Sequence, residues 1–210
     1  MTLTADLAGD LAAVREATSR MRALVESITD FGAPSLLPGW SRGHVVAHLA
    51  GNARSHLRML QGTVDGRVAD QYDGGAEARA AAIEELALRP ADAVADLHRS
   101  AEELDAMWQR ADWSGLVRPL GSGAPRPAAG LLWGRRREVE VHAVDVDAGY
   151  RPQDWRPDFV DRLLPELLER PDLPSLDGVD GPPYAMAAWL TGRSDGSELS
   201  GRLPVLPEWR

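Results

Sequence analysis

Residues 135–145 read Arg-Arg-Arg-Glu-Val-Glu-Val-His-Ala-Val-Asp, and winding them as a helix sets how the rest of the chain is read. At ~100° per residue, with Glu138 as origin, His142 falls at about +40° and Asp145 at about −20°, so the three form one narrow stripe. Val139, Ala143 and Val146 flank the stripe on one side and Val141, Val144 and Ala148 on the other, which puts it in the middle of the face expected to be buried. Arg136, Glu140 and Asp147 point the opposite way and read as solvent-facing. Unpaired charge in a buried face is costly. A divalent cation is one remedy, since Glu138 and His142 share a helix face as ligands four apart do. Pairing with Arg135 or Arg137 is the other.

A third ligand has to come from elsewhere in the chain. His48, in Gly43-His-Val-Val-Ala-His-Leu-Ala, lies on a helix whose apolar arc runs through Val45, Val46, Leu49, Ala53, Leu57 and Leu60. His48 and Asn52 fall at the margin of that arc, where a histidine serves either as a hydrogen-bonded rim group or as a ligand. His44, four residues earlier, makes a second possible pair with His48 and ranks behind it as a rim group, because a catalytic site needs only three protein ligands.

Working outward, apolar residues recur at helical spacing over about Thr4–Ser27 through Leu7, Leu11, Val14, Met21 and Leu24. Ser41 offers an N-cap for a second helix that runs to about Gln61 and stops at Gly62. Residues 63–74 are rich in Gly and Asp and read as a loop. A third helical stretch, about Ala76–Ala111, is broken in two by Arg89-Pro90. Trp113–Arg126 reads as a linker with a short extended piece at Leu116 and Val117, and the fourth helix follows over about Pro127–Asp147, ended by Gly149. Four long helices around one core describe a bundle, an architecture that seats metals between facing helices. After Tyr150 prolines punctuate the chain, with short helices expected near Asp158–Glu169 and Pro182–Thr191 and an extended tail. The expected division is a bundle over 1–150 and a small lobe over 151–210.

Composition narrows the chemistry. The chain carries a net charge of −9, which argues against nucleic acid as partner, because duplex binding needs a basic footprint. No apolar run reaches ~18 residues and the N-terminal stretch does not read as a secretion signal, so a cytoplasmic protein that does not engage a membrane is expected. There is no cysteine, hence no thiolate nucleophile or thiolate ligand of its own. All 23 basic residues are arginines, which excludes a lysine Schiff base. A reacting thiol or amine must arrive with a cosubstrate.

Three stretches together resemble the mycothiol-dependent maleylpyruvate isomerases: Leu37-Pro-Gly-Trp-Ser-Arg-Gly-His-Val-Val-Ala-His-Leu-Ala-Gly-Asn-Ala, Trp133-Gly-Arg-Arg-Arg-Glu-Val-Glu-Val-His-Ala-Val-Asp, and Leu190-Thr-Gly-Arg-Ser-Asp-Gly. The resemblance implies a DinB-like four-helix bundle followed by a C-terminal α/β domain. Here the extended apolar segments that would form a sheet are not evident between Glu169 and Gly181, so the lobe is expected to be shortened, either α/β or irregular. Carried over by position, the family's metal ligands fall on His48, Glu138 and His142, the residues of the wheel argument. The same resemblance puts the arginine of the C-terminal element at Arg193, facing thiol or substrate carboxylates. It implies Zn²⁺, with other divalent metals compatible with the His/His/carboxylate set, and mycothiol as cosubstrate. Asn52 and Asp145 are the candidates for orienting the ligands and thereby binding the cofactor. The implied reaction is addition of a thiolate to a cis double bond, rotation, and elimination to the trans product. Two alternatives share the residues: a mycothiol S-transferase acting on other electrophiles, and a metal-binding interaction module without turnover. The expected partners are a small electrophile and a low-molecular-weight thiol, and the expected assembly is a monomer or homodimer.

Overall fold

The computed structural model describes residues 5–209, so Thr4 at the expected start of the first helix and Arg210 at the end of the tail lie outside the described residues. The chain divides into two compact units, residues 1–148 and 149–210.

The first unit is helical. α1 spans Ala5–Glu26, α2 Arg42–Val64, α3 Gly75–Ala87, α4 Pro90–Trp108 and α5 Gly130–Asp145. α2 packs on α4 and α5, and α1 packs on the same two, so these four close a ring while α3 lies against α2 and α4. α1 buries Leu11, Val14, Ala17, Met21 and Val25, a stripe at three- and four-residue intervals, and Ile28 just beyond its end is buried too. Val25, not Leu24, holds the core slot near its end. One apolar cluster joins Leu11 and Val14 to Met59 and Leu60 of α2, Leu104, Met107 and Trp108 of α4, and Leu131 and Leu132 of α5.

Local signals explain the boundaries. Ser41 caps α2 in a reciprocal capping box with His44, whose ring accepts from the Ser41 N–H at 3.1 Å. Gly62 does not stop α2. It lies inside the last turn, where an added Cβ would come within 2.8 Å of Ala69 Cβ, so it lets the following loop fold back closely. Pro90 begins α4 at the first helical position, as the Arg89-Pro90 break predicts. α5 starts three residues later than its periodicity suggests, because Arg126 and Pro127 pair antiparallel with Val117 and Leu116 in a two-residue ladder, β1 (Leu116–Val117) with β2 (Arg126–Pro127). It ends earlier too: Asp147 turns into the left-handed region at φ 50°, which aspartate tolerates better than most side chains. The Arg42 guanidinium donates to its carbonyl at 2.6 Å.

In the second unit, Pro152–Asp154 forms a 3₁₀ turn, α6 spans Pro157–Leu168 and α7 Pro183–Leu190. Phe159, Val160, Leu163 and Leu167 of α6 are buried, and α6 packs on α7. Extended pairing here amounts, among the described residues, to one isolated bridge between Asp180 and Ser200. The lobe therefore takes the irregular form of the expectation and not the α/β form.

Candidate metal centre

α2 and α5 are neighbours in the ring, and their facing sides bring His48 to Glu138 and His142. His48 Nε2 is 2.8 Å from Glu138 Oε2, and His142 Nε2 is 3.6 Å from the same oxygen. The two imidazole rings meet edge to face at 4.6 Å. One ligand atom from each of the three residues lies within 4.8 Å of the others, the spacing that a single cation can span. The stripe on α5 and a residue 90 positions earlier thus converge.

The electrostatics prepare these groups for a cation. Burial pulls the His48 ring down to about 4, against the pull of its hydrogen bond to Glu138, so the ring is neutral at pH 7. Burial would raise the Glu138 carboxyl, but hydrogen bonds from His142 and His48 outweigh it and hold the group well below its usual range. For His142 burial also works against charge, yet hydrogen bonds to Asp145 and Glu138 overcome it and raise the ring. Glu138 keeps 30% of its side chain exposed, so the cluster opens to a ligand on one edge.

Asp145, itself buried, sits 2.7 Å from Nδ1 of His142. That contact fixes the proton on Nδ1 and leaves Nε2 toward Glu138, the tautomer a ligand histidine needs. Asn52 does something else. Its carboxamide oxygen accepts from Arg135 at 2.8 Å, and the same guanidinium nitrogen donates to Leu49 O at 2.8 Å. Asn52 therefore holds a buried arginine and not a ligand ring. Arg135 is fully buried, its pKa lowered to about 10 chiefly by burial, with the Glu138 charge opposing that fall. The alternative of an arginine pairing directly with Glu138 is not what the fold provides: among the described residues, the ion-pair partners of Glu138 are two imidazoles.

Two placements differ from the sequence reading. His48 and Asn52 are each only 3% exposed, not marginal, because α5 meets that side of α2 through Glu138, His142 and Arg135, and Arg79 of α3 also reaches His48. Trp40 also leans on the His48 ring at 5.7 Å. His44 serves the cap of α2 and reaches Glu84 at 3.1 Å. Arg136 and Glu140, read as solvent-facing, are 6% and 1% exposed. α1 covers that side of α5, and Arg20 from α1 meets Glu140 at 2.5 Å.

Sequence reasoning missed Arg79. Its guanidinium, which has only donors, approaches Nδ1 of His48 at 3.0 Å, so that nitrogen accepts and the proton of His48 lies on Nε2, facing Glu138. The helix carrying Arg79 is rich in alanine and has little contrast between its faces, so the wheel gave no signal there. Arg193, in the second unit, donates to Thr191 O at 2.5 Å, and its guanidinium lies 5.2 Å from the centre of the Trp209 ring. Within that unit it closes the end of α7.

The donor set of two imidazoles and a carboxylate, with an open edge and no thiolate, suits Zn²⁺ or a similar divalent ion in a site that keeps a free position. No helix is long and apolar enough to cross a membrane. No curated protein matches the chain. Residues 14–147 match the family model described as "Mycothiol maleylpyruvate isomerase N-terminal domain". Among solved structures, one described as the mycothiol-dependent maleylpyruvate isomerase is 26% identical over 100% of both chains, with a TM-score of 0.89. A histidine-to-alanine mutant of a protein so described is likewise 26% identical over 100% of both chains, at 0.88.

Proposed function

The chain belongs to the mycothiol maleylpyruvate isomerase N-terminal domain family, and from that premise we propose that it is a metal- and thiol-dependent cis-trans isomerase of the maleylpyruvate type. The observation that carries this reading is the convergence of His48, Glu138 and His142 from two helices, with Glu138 ionised and His48 neutral. A divalent cation such as Zn²⁺ in that cluster would lower the pKa of a bound thiol, so that mycothiol is available as thiolate at neutral pH.

The chain's own residues supply the rest. His48 Nε2, Glu138 Oε2 and His142 Nε2 would hold the ion. Asp145 keeps the proton of His142 on Nδ1 and so keeps the ligating nitrogen aimed at the site. The buried Arg135 charge favours ionised Glu138 without bonding to it, leaving both carboxylate oxygens for the ion and the imidazoles. The exposed edge at Glu138 admits thiol and electrophile. Arg193 stands as the candidate for a substrate carboxylate on the family resemblance, with bidentate pairing as its means.

Addition of the thiolate to the cis double bond, rotation about the resulting single bond and elimination would give the trans product and return the thiol. The absence of any cysteine in the chain fits a thiol supplied from outside. The test is spectroscopic: metal-loaded protein with mycothiol converts cis-maleylpyruvate to the trans acid in the ultraviolet, and metal-stripped protein does not. Loaded protein that leaves the acid unchanged but forms a stable thioether with other electrophiles would replace isomerase by transferase.

A further inference from the structure

Against the metal centre lies a cavity of about 220 Å³ between α2 and α3, and His48 forms part of its wall. Small residues make the space: Ala47, Gly51 and Ser55 follow one another at four-residue intervals on α2, facing Ala78 and Ala82 on α3. Three arginines line it, Arg54, Arg58 and Arg79, against one carboxylate, Asp73, together with Tyr72. Such convergence is unexpected in a chain of net charge −9.

The carboxylates nearby offset these charges only in part. Arg54 contacts Asp96, but Asp96 is shared with Arg99 at 2.8 Å. Arg58 reaches Asp73 only at 3.5 Å, with 88% of the Asp73 side chain exposed, and otherwise donates to Asp70 O at 3.1 Å. Arg79 pairs with no carboxylate among the described residues; it donates to His48 and lies 5.8 Å from the centre of the Tyr72 ring. A histidine that ligates an ion through Nε2 carries its proton on Nδ1, and the Arg79 guanidinium then needs another acceptor. The cavity is smaller than the ~300–1,000 Å³ usual for drug-sized ligands. It suits a small organic acid.

We propose that this cavity is a carboxylate subsite, in which Arg79 and Arg58 hold one carboxylate of a small diacid substrate and so place its double bond beside the His48 wall of the metal centre. The assignment rests on the isomerase reading for its substrate class. It gives the first unit its own specificity for anionic electrophiles, independent of Arg193.

The test titrates the full chain calorimetrically with maleate after loading with Zn²⁺, the state in which His48 no longer accepts from Arg79, and the arginine variants separate binding in the subsite from binding to the ion. Saturable one-to-one binding is expected, weakened about tenfold or more by either Arg79→Gln or Arg58→Gln, with partial recovery in Arg58→Lys. Dimethyl maleate, of like shape without charge, should not bind measurably. Arg58 does not touch His48, so its variant reports on the subsite even where Arg79→Gln disturbs the metal ligand. No saturable binding by the parent protein, a loss of less than threefold in both variants, or equal binding of the ester would overturn the assignment. In parallel, Co²⁺-loaded parent protein is mixed with mycothiol and its thiolate-to-metal absorption band is recorded. A missing band with the expected maleate results would sink the metal-thiol reading and leave the carboxylate subsite standing.

Discussion

Two glutamates on α5, Glu138 and Glu140, stand two residues apart and meet opposite fates. Glu140 is 1% exposed and faces α1, where Arg20 binds it at 2.5 Å and Arg136 approaches to 3.9 Å. Glu138 faces α2, keeps an exposed edge, and has imidazoles for neighbours. Guanidinium groups stay charged at any working pH and fill a carboxylate's lone pairs in fixed geometry, which closes the site to a cation. Imidazoles can shed a proton and turn the same atoms into ligands. The partner residue, and not the glutamate, separates a structural ion pair from a metal centre.

The largest expected effect is on metal binding. Glu138→Gln or His48→Ala should lower divalent-metal affinity by more than about a hundredfold, measured by competition with a chelating dye, because a three-ligand site loses one of its ligands. Glu140→Gln should leave that affinity within about threefold. Equal losses in the two glutamine variants would erase the distinction drawn here.

Stability should show the reverse. Glu140→Ala removes the buried carboxylate that Arg136 and Arg20 meet, although Arg20 keeps Glu16 at 2.8 Å, and should cost ~3 kcal/mol in urea unfolding of metal-free protein. A smaller cost is expected for Glu138→Ala, whose loss relieves a buried carboxylate but frees only imidazoles that can become neutral. A glutamate pair with the same cost on both faces would count against the comparison.

Asp145→Asn sharpens the Glu138 face further. Removing the carboxylate that fixes the tautomer of His142 should weaken metal binding about ten- to a hundredfold, the range for partners that orient ligands. The smallest effect is on pH. His142 is raised in the metal-free protein, so an ion must displace its proton below that pKa. Affinity should be flat above the raised value and fall by up to about tenfold per unit below it. In Asp145→Asn the fall should begin at lower pH, since the largest influence raising His142 is gone; an unmoved profile would show that Asp145 does not tune the ring.

Much of this was legible along the chain. The 3.6-residue period of α1, α2, α4 and α5 is a local property, as are the Ser41 cap, the Pro90 start and the stripe that aligns Glu138, His142 and Asp145 on one face. The wheel also separated Glu138 from Glu140. What it could not tell was that both sides of α5 are buried, because the burial of Glu140 depends on α1, whose Arg20 lies 120 residues away.

The depth of His48, the diversion of Asn52 to Arg135, and the approach of Arg79 to the His48 ring have the same origin. Each depends on which helix packs against which, and that follows from the fit of whole faces, not from the period of any one. The sequence by itself determined which residues share a helical face and therefore which could act together. Only the tertiary structure decided which charge each face would meet, because the partners that neutralise a buried carboxylate, or leave it open to an ion, arrive from distant segments brought together by the packing of the core.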